Sequence, residues 1–185
     1  MVGLCLSLSA CNGVNPADFI GGILPGGKVE NVALSQTLMA NGAFTLVPPD
    51  GFCIDRSSLQ QQFALMSRCD TLGAPSLAGG APIGLITISV AALAPDLPLL
   101  TAQEIAVAAN LSGYDAEQTS NDTLTFRAEG TPPANGLDVT HWRAVARVQD
   151  QMLGIALYGP RDARAVSEEG RDILNSLVRR SRAGG

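Results

Sequence analysis

The sequence predicts an α+β domain in which an antiparallel β-sheet is flanked by helices and a long helix ends the chain. Two observations support this prediction. Several short apolar strands are followed by one capped helix, three more strands and an amphipathic segment over residues 162–180. The last two strands are separated only by a turn at residues 149–151, which makes them a hairpin. Strands that pair in this way need helices to cover them.

The first half of the chain carries four short apolar runs. We predict strands at residues 29–34, 43–47, 52–54 and 63–66. Two prolines followed by Asp-Gly at residues 48–51 force a bend, because proline cannot donate to a sheet and Asp-Gly favours a turn. The polar residues 55–62 predict one helical turn capped by Asp55, Ser57 or Ser58.

The second half begins with a Gly-, Ala- and Pro-rich loop over residues 70–82. Residues 84–90 form the clearest strand, since they are β-branched and alternate. Thr101 and Glu104 form a capping box that predicts a helix through Leu111, ending near Gly113. Alternation predicts strands at 123–128 and 139–148, and residues 152–158 close the hairpin. Trp142 shares parity with alanines and Val148, so we predict that it anchors the core.

Composition limits the classes of partner. The 185 residues are 46% hydrophobic and 16% charged, which suits one domain with a sizeable core. The net charge of −5 argues against a nucleic-acid partner, which needs clustered lysine and arginine. The most apolar window, residues 81–100, is broken by three prolines and an aspartate, so we expect no membrane-spanning helix there.

The first eleven residues form a short apolar run that ends in a cysteine. The run Leu8-Ser9-Ala10-Cys11 resembles the lipobox of bacterial lipoproteins, in which small residues lead to a cysteine that receives the lipid. The resemblance implies lipidation (palmitate included) of Cys11, and Asn12 favours the outer membrane over the inner one. Because the first basic residue is Lys28, we expect an upstream start codon or a trimmed sequence. The alternative is that residues 2–10 form a buried element and Cys11 is an ordinary core thiol.

This resemblance implies a domain organisation and a location. Residues 1–10 would be the remnant of a signal peptide, 11–28 a lipidated flexible tether rich in glycine and proline, 29–180 one α+β domain and 181–185 a flexible tail. The protein would then lie on the periplasmic face of the outer membrane, held there by Cys11. Cys5 would leave with the signal peptide, and the remaining pair, Cys53 and Cys69, would form a disulfide in an exported protein.

A second resemblance concerns the fold. Residues 44–52 (FTLVPPDGF) give an opening of apolar strand, proline, glycine and aromatic residue, and residues 153–177 give a last strand that leads into an amphipathic helix. Both features resemble the PsbP-like fold, which photosystem II extrinsic proteins, Ran-binding proteins of the Mog type and small bacterial envelope lipoproteins share. Residues 48–55 and 63–69 are also similar to an uncharacterised alphaproteobacterial lipoprotein family, which implies no particular activity.

The candidate binding residues are basic. His141, Arg143 and Arg147 share one parity of a predicted strand, and Arg127 lies on a neighbouring one. Together they predict a basic stripe for an acidic partner or a lipid head group. The alternative is a solvated sheet face with salt bridges. Asp138 falls on the opposite parity from His141, so the two cannot form a local dyad. We expect His141 to be a solvated or sheet-face residue rather than a catalyst.

The sequence therefore predicts a non-enzymatic binding or accessory subunit of an envelope assembly, with a protein partner. It contains one histidine and no recognisable metal or cofactor motif, so we predict no catalytic residue, no metal and no cofactor. Two alternatives stay open. One is an unrecognised enzyme that uses His141 with nearby acids, and the other is a module that holds a small apolar ligand between sheet and helix.

Overall fold

A computed structural model describes residues 33–184. The predicted signal remnant at 1–10, Cys11, the tether at 11–28 and most of the first predicted strand lie outside the described residues. The elements follow in this order: β1 (Ala33–Leu34), β2 (Thr37–Met39), β3 (Phe44–Leu46), β4 (Phe52–Asp55), β5 (Phe63–Arg68), β6 (Leu85–Ala92), α1 (Ala102–Ala108), β7 (Gly113–Ser120), β8 (Thr123–Glu129), β9 (Thr140–Val148), β10 (Gln151–Tyr158) and α2 (Glu168–Ala183).

Eight of these strands form one antiparallel sheet in the order β1-β4-β5-β6-β10-β9-β8-β7, and β2 pairs with β3 in a separate ribbon. The α+β class, the antiparallel sheet and the C-terminal helix are thereby confirmed. The strand predictions for β3, β4, β5, β6, β8, β9 and β10 are confirmed as well. No helix among residues 33–184 is both long and apolar enough to cross a bilayer.

The main core lies between α2 and one face of the sheet. Leu174, Leu177 and Val178 of α2 are fully buried there, and so is Trp142 of β9, which confirms its predicted place in the core. The Trp142 indole N–H donates to the carbonyl of Ser167, 2.6 Å away, where α2 begins. Gly170 allows this close approach, because a Cβ there would lie 2.5 Å from Cδ1 of Trp142. We call this side of the sheet the α2 face.

Both helices are shorter at one end than the sequence predicts. The last helix begins at Glu168 rather than at Asp162, because Ser167 caps it and residues 164–166 form a separate 3-10 turn. The capping box at Thr101 is confirmed, but α1 ends at Ala108. Asn110 adopts a left-handed conformation (φ 50°), which stops the helix before the predicted Leu111.

Two strands, β2 and β7, were not predicted from the sequence. The strand β2 is three residues long and pairs only with β3. The strand β7 forms one edge of the sheet and is exposed along almost its whole length, so it has no apolar alternation to reveal it. Its pairing with β8 shifts between Asp115 and Gln118, where Ala116 has a positive φ of 50°. Such a bulge at a sheet edge is a common protection against pairing with other chains.

The Cys53–Cys69 disulfide is present, and this prediction is confirmed. Asp55 caps the 3-10 turn that follows β4, and β5 then returns antiparallel to it. Cys69 follows the last residue of β5 directly, which brings its Cα within 4.9 Å of that of Cys53. Both half-cystines are buried in a small cluster with Ala74. The bridge therefore joins β4 to the chain beyond β5.

Candidate functional site

The β-sheet register divides the predicted basic stripe. Arg127 of β8 pairs with Trp142, and paired residues of neighbouring strands point to the same side of a sheet. Arg127 therefore lies on the α2 face, whereas His141, Arg143 and Arg147 lie on the opposite face, which we call the α1 face. The guanidinium of Arg127 forms an ion pair with Asp115 of β7 at 2.8 Å. The prediction of one continuous stripe of four basic residues is wrong.

His141 is fully buried, which corrects the expectation of a solvated side chain. Its ring stacks on Tyr158, with 4.4 Å between the ring centroids. Nδ1 lies 2.9 Å from the carbonyl of Val139, and Nε2 accepts a hydrogen bond from Nε of Arg143, also at 2.9 Å. The ring is therefore neutral, with its proton on Nδ1, where it donates to Val139.

The electrostatics of His141 agree with this assignment. The pKa of His141 is lowered to about 4, mainly by burial and in smaller part by the positive charge of Arg143, while the hydrogen bond with the Val139 carbonyl opposes the shift. None of these contacts involves an acid. Asp138, the acid nearest in sequence, instead accepts a hydrogen bond from the amide of Thr140 and lies 3.6 Å from the guanidinium of Arg161.

Arg143 is half-buried and has neutral partners only. Nε donates to His141, and Nη2 lies 3.4 Å from the hydroxyl oxygen of Tyr158. No carboxylate among residues 33–184 forms an ion pair with this guanidinium. The histidine and the tyrosine hold one edge of the guanidinium in place, and its charge stays uncompensated by the described part of the chain.

Arg147 has a structural role on the same face. Nη1 lies 3.4 Å from the carbonyl oxygen of Ala94, and Nη2 donates to the carbonyl of Leu97. These bonds fasten the proline-containing segment between β6 and α1 to the sheet. The donors of Arg147 are thus used within the fold. Arg143 lines the groove on the same face and fastens no loop to the sheet.

A groove of about 300 Å³ lies on the α1 face, between α1 and strands β6, β9 and β10. Its floor is formed by the small residues Ser89, Gly154 and Ala156. Gly154 has to stay small, because a Cβ there would lie 2.8 Å from the hydroxyl oxygen of Ser89. The remaining lining is mainly apolar and includes Val90, Leu100, Ile105, Ala108 and Met152, together with Arg143. The groove thus combines an apolar surface with one cation.

Sequence reasoning missed this groove. In the sequence, the groove corresponds to small or hydroxyl-bearing residues at alternate positions of β6 and β10. The positions between them carry the large apolar residues that form the core. The short helix α1 lies over that face of the sheet, but its position depends on the loop between β6 and α1 that Arg147 fastens. The sequence alone does not place α1 beside the floor.

Exposed apolar side chains surround the same helix. We call this set the α1 patch, and it consists of Leu97, Leu100, Val107 and Tyr114. Val107 is 78% exposed, on a helix whose other side buries Ala102 and Ile105. Val107 and Tyr114 line one surface pocket, and Leu100 lines the groove. Exposed apolar side chains near one another in this way are typical of interaction surfaces. In the described part of the chain, no three histidine, cysteine or acidic side chains come together as metal binding requires.

The chain was compared with known proteins. No model of a protein family matches it, and no curated protein matches it. Two similar solved structures are the Saccharomyces cerevisiae Ran-binding protein Mog1p and a point mutant of Mog1, at 13% and 14% sequence identity. Each comparison covers 78% of this chain and 92% of the other, with TM-scores of 0.49 and 0.47.

Proposed function

We propose that this chain is a lipid-anchored protein on the periplasmic face of the bacterial outer membrane and acts as a non-enzymatic binding or accessory subunit of an envelope assembly. The observation that carries the proposal is the α1 patch beside an open groove. It gives the domain an apolar surface suited to a protein partner. The lipobox-like run at Cys11 and the Cys53–Cys69 disulfide support an exported location.

We also propose that the fold is PsbP-like. Support comes from the opening in which β3 leads through two prolines and a glycine to Phe52 at the start of β4, and from β10, which leads into the C-terminal helix. In this chain the long helix α2 covers one side of the sheet. The α1 face is the side that this chain leaves partly open.

The partner test uses a photo-crosslinking amino acid at Val107, in the protein expressed in membranes of its native host. We expect one envelope protein to be crosslinked in stoichiometric amount. The matched control is the same amino acid at Leu38, which is 66% exposed on the β2–β3 ribbon beside the α2 core. Equal capture at both positions, or no capture at Val107, would contradict the proposal.

The anchor is tested separately. In the native host a palmitate analogue is expected to label the protein and to be lost in Cys11→Ala, since no other residue would carry the lipid. The Cys53→Ala and Cys69→Ala double variant is the control and is expected to keep the label. Labelling that survives Cys11→Ala would remove the support for a lipoprotein.

A second candidate function, binding of a small apolar ligand, is favoured by a specific observation. The groove lies between the sheet and α1, and its volume of about 300 Å³ is at the lower end of the range for ligand sites. The alternative of an enzyme built on His141 gains no comparable support. Its ring is buried, and both ring nitrogens are engaged by Val139 and Arg143.

A further inference from the structure

The groove floor has two chemically different ends. The register aligns Arg143 with Ala156 and Thr87 in a row across the sheet, and it aligns Met152 with Ala91 two rows further along. The distance between these rows, four residues along β9, is about 13 Å. Arg147 also lies in the Met152 row, but its guanidinium is turned to the Ala94 and Leu97 carbonyls and does not line the groove. Among the lining residues, one end therefore carries a cation, and the other end and the α1 wall are mainly apolar.

The guanidinium keeps one edge available. Five N–H groups are arranged around an arginine guanidinium. On one edge of the guanidinium, the Nε–H group is directed at His141 and one N–H group of Nη2 is directed at Tyr158. The structure assigns Nη1 no acceptor within residues 33–184. The edge formed by Nη1 and Nη2 thus presents two parallel donors, the arrangement that a carboxylate accepts in bidentate fashion.

We infer that the groove binds an aliphatic carboxylate, with its carboxyl group paired to Arg143 and its chain laid along the floor toward Met152. The inference rests on the second candidate function and names its ligand class. A single guanidinium fork matches one carboxylate. Phosphate usually needs further donors, and the neighbouring Arg147 uses its own on the Ala94 and Leu97 carbonyls. His141 and Tyr158 are positioning residues, since they orient Arg143 and do not contact the ligand.

The experiment titrates octanoate into the whole folded protein and follows the methyl signals of Leu100, Ile105 and Met152 by NMR. We expect saturable shifts of these three residues, which line the groove. The matched probe is octanamide, which has the same chain and no charge. It is expected to bind about tenfold more weakly, because it loses a charge-assisted hydrogen-bonded pair.

Protein variants separate the two ends of the groove. Arg143→Gln is expected to reduce octanoate affinity about tenfold and to leave octanamide affinity unchanged. Ala91→Phe fills the apolar end and is expected to weaken both probes. Its control is Ala92→Phe, the adjacent exposed residue of β6, which does not line the groove. This control is expected to bind like the unmodified protein.

The outcomes distinguish carboxylate binding from the binding of any apolar ligand and from the binding of a protein partner. Equal affinity for octanoate and octanamide would overturn the carboxylate assignment while leaving an apolar ligand site in place. Absence of saturable shifts with both probes would overturn the inference and the second candidate function together. The Val107 crosslink reports independently on the protein partner. The comparison of the two probes needs no variant, so it stands even if Arg143→Gln fails to fold.

Discussion

At the scale of single residues, the position of Arg143 on the α1 face depends on its contact with the buried His141. His141 has no contact with solvent, and it supplies a neutral acceptor that fixes the Nε of Arg143. Protonating this imidazole would place a cation beside the Arg143 guanidinium and remove the acceptor. His141 can therefore hold Arg143 in place only while its imidazole is neutral.

We predict that this arrangement makes stability fall with acidification. The pKa of His141 is about 4 in the folded protein against 6.5 for the free side chain. The unfolded chain therefore binds more protons between these values. The stabilising contribution is complete above 6.5 and is lost as the pH falls toward 4. Between about pH 7.5 and pH 5 the free energy of unfolding is expected to fall by about 2 kcal/mol.

Urea unfolding at several pH values measures this loss. The control is His141→Gln, because glutamine keeps an acceptor for Arg143 and does not titrate in this range. Arg143 and Tyr158 are the charged and titratable groups that face the imidazole. The variant is expected to lose clearly less stability over the same interval. An equal loss in both proteins would show that His141 is not the responsible group.

At the scale of elements, arginines join helices and loops to the sheet through backbone carbonyls. Arg182 of α2 donates to the carbonyl of Arg147 at 2.9 Å and to those of Asn121 and Asp122 at 2.7 and 2.9 Å. Asn121 and Asp122 form the turn between β7 and β8, and both have positive φ. A single side chain therefore secures the end of α2 to strand β9 and to the turn between β7 and β8.

We predict that Arg182→Leu destabilises the protein by about 1 kcal/mol, because the carbonyls of Arg147, Asn121 and Asp122 lose a charged donor. Hydrogen exchange should also accelerate at the turn between β7 and β8. The control is Arg179→Leu, an exposed arginine three residues earlier that makes no side-chain hydrogen bond within residues 33–184. It is expected to change stability by less than about 0.5 kcal/mol. Similar effects of the two variants would argue against the clamp.

At the scale of the whole molecule, the sheet has two unequal faces. The α2 face carries the main core, with Trp142, Leu174 and Leu177 fully buried. The α1 face carries a smaller cluster around Phe126 and Ile105, under a helix of seven residues. Because so short a helix packs mainly beside β7 and β8, the floor over β6 and β10 stays open. The two faces therefore differ, since the α2 face carries most of the buried core and the α1 face keeps an open groove.

Much of the architecture was predictable because it depends on local patterns. Alternation marks β6, β8 and β9, the capping box at Thr101 marks the start of α1, and Trp142 has core parity. The strand β7 was not predictable, since an exposed edge strand needs no apolar residues. Nor was the start of α2, which the Ser167 cap decides against a continuous amphipathic pattern.

For the candidate site, the sequence by itself determined which residues of β9 share a face, because side chains alternate strictly along a strand. The resemblance to a lipobox also left Cys53 and Cys69 as the predicted pair for a bridge, and the structure contains that bridge. Only the tertiary structure decided that Arg127 lies on the other face and that His141 is buried. It also decided that Arg143 has no carboxylate partner within residues 33–184. These properties depend on the register between strands and on where α1 lies, and both are set by contacts between residues far apart in the chain.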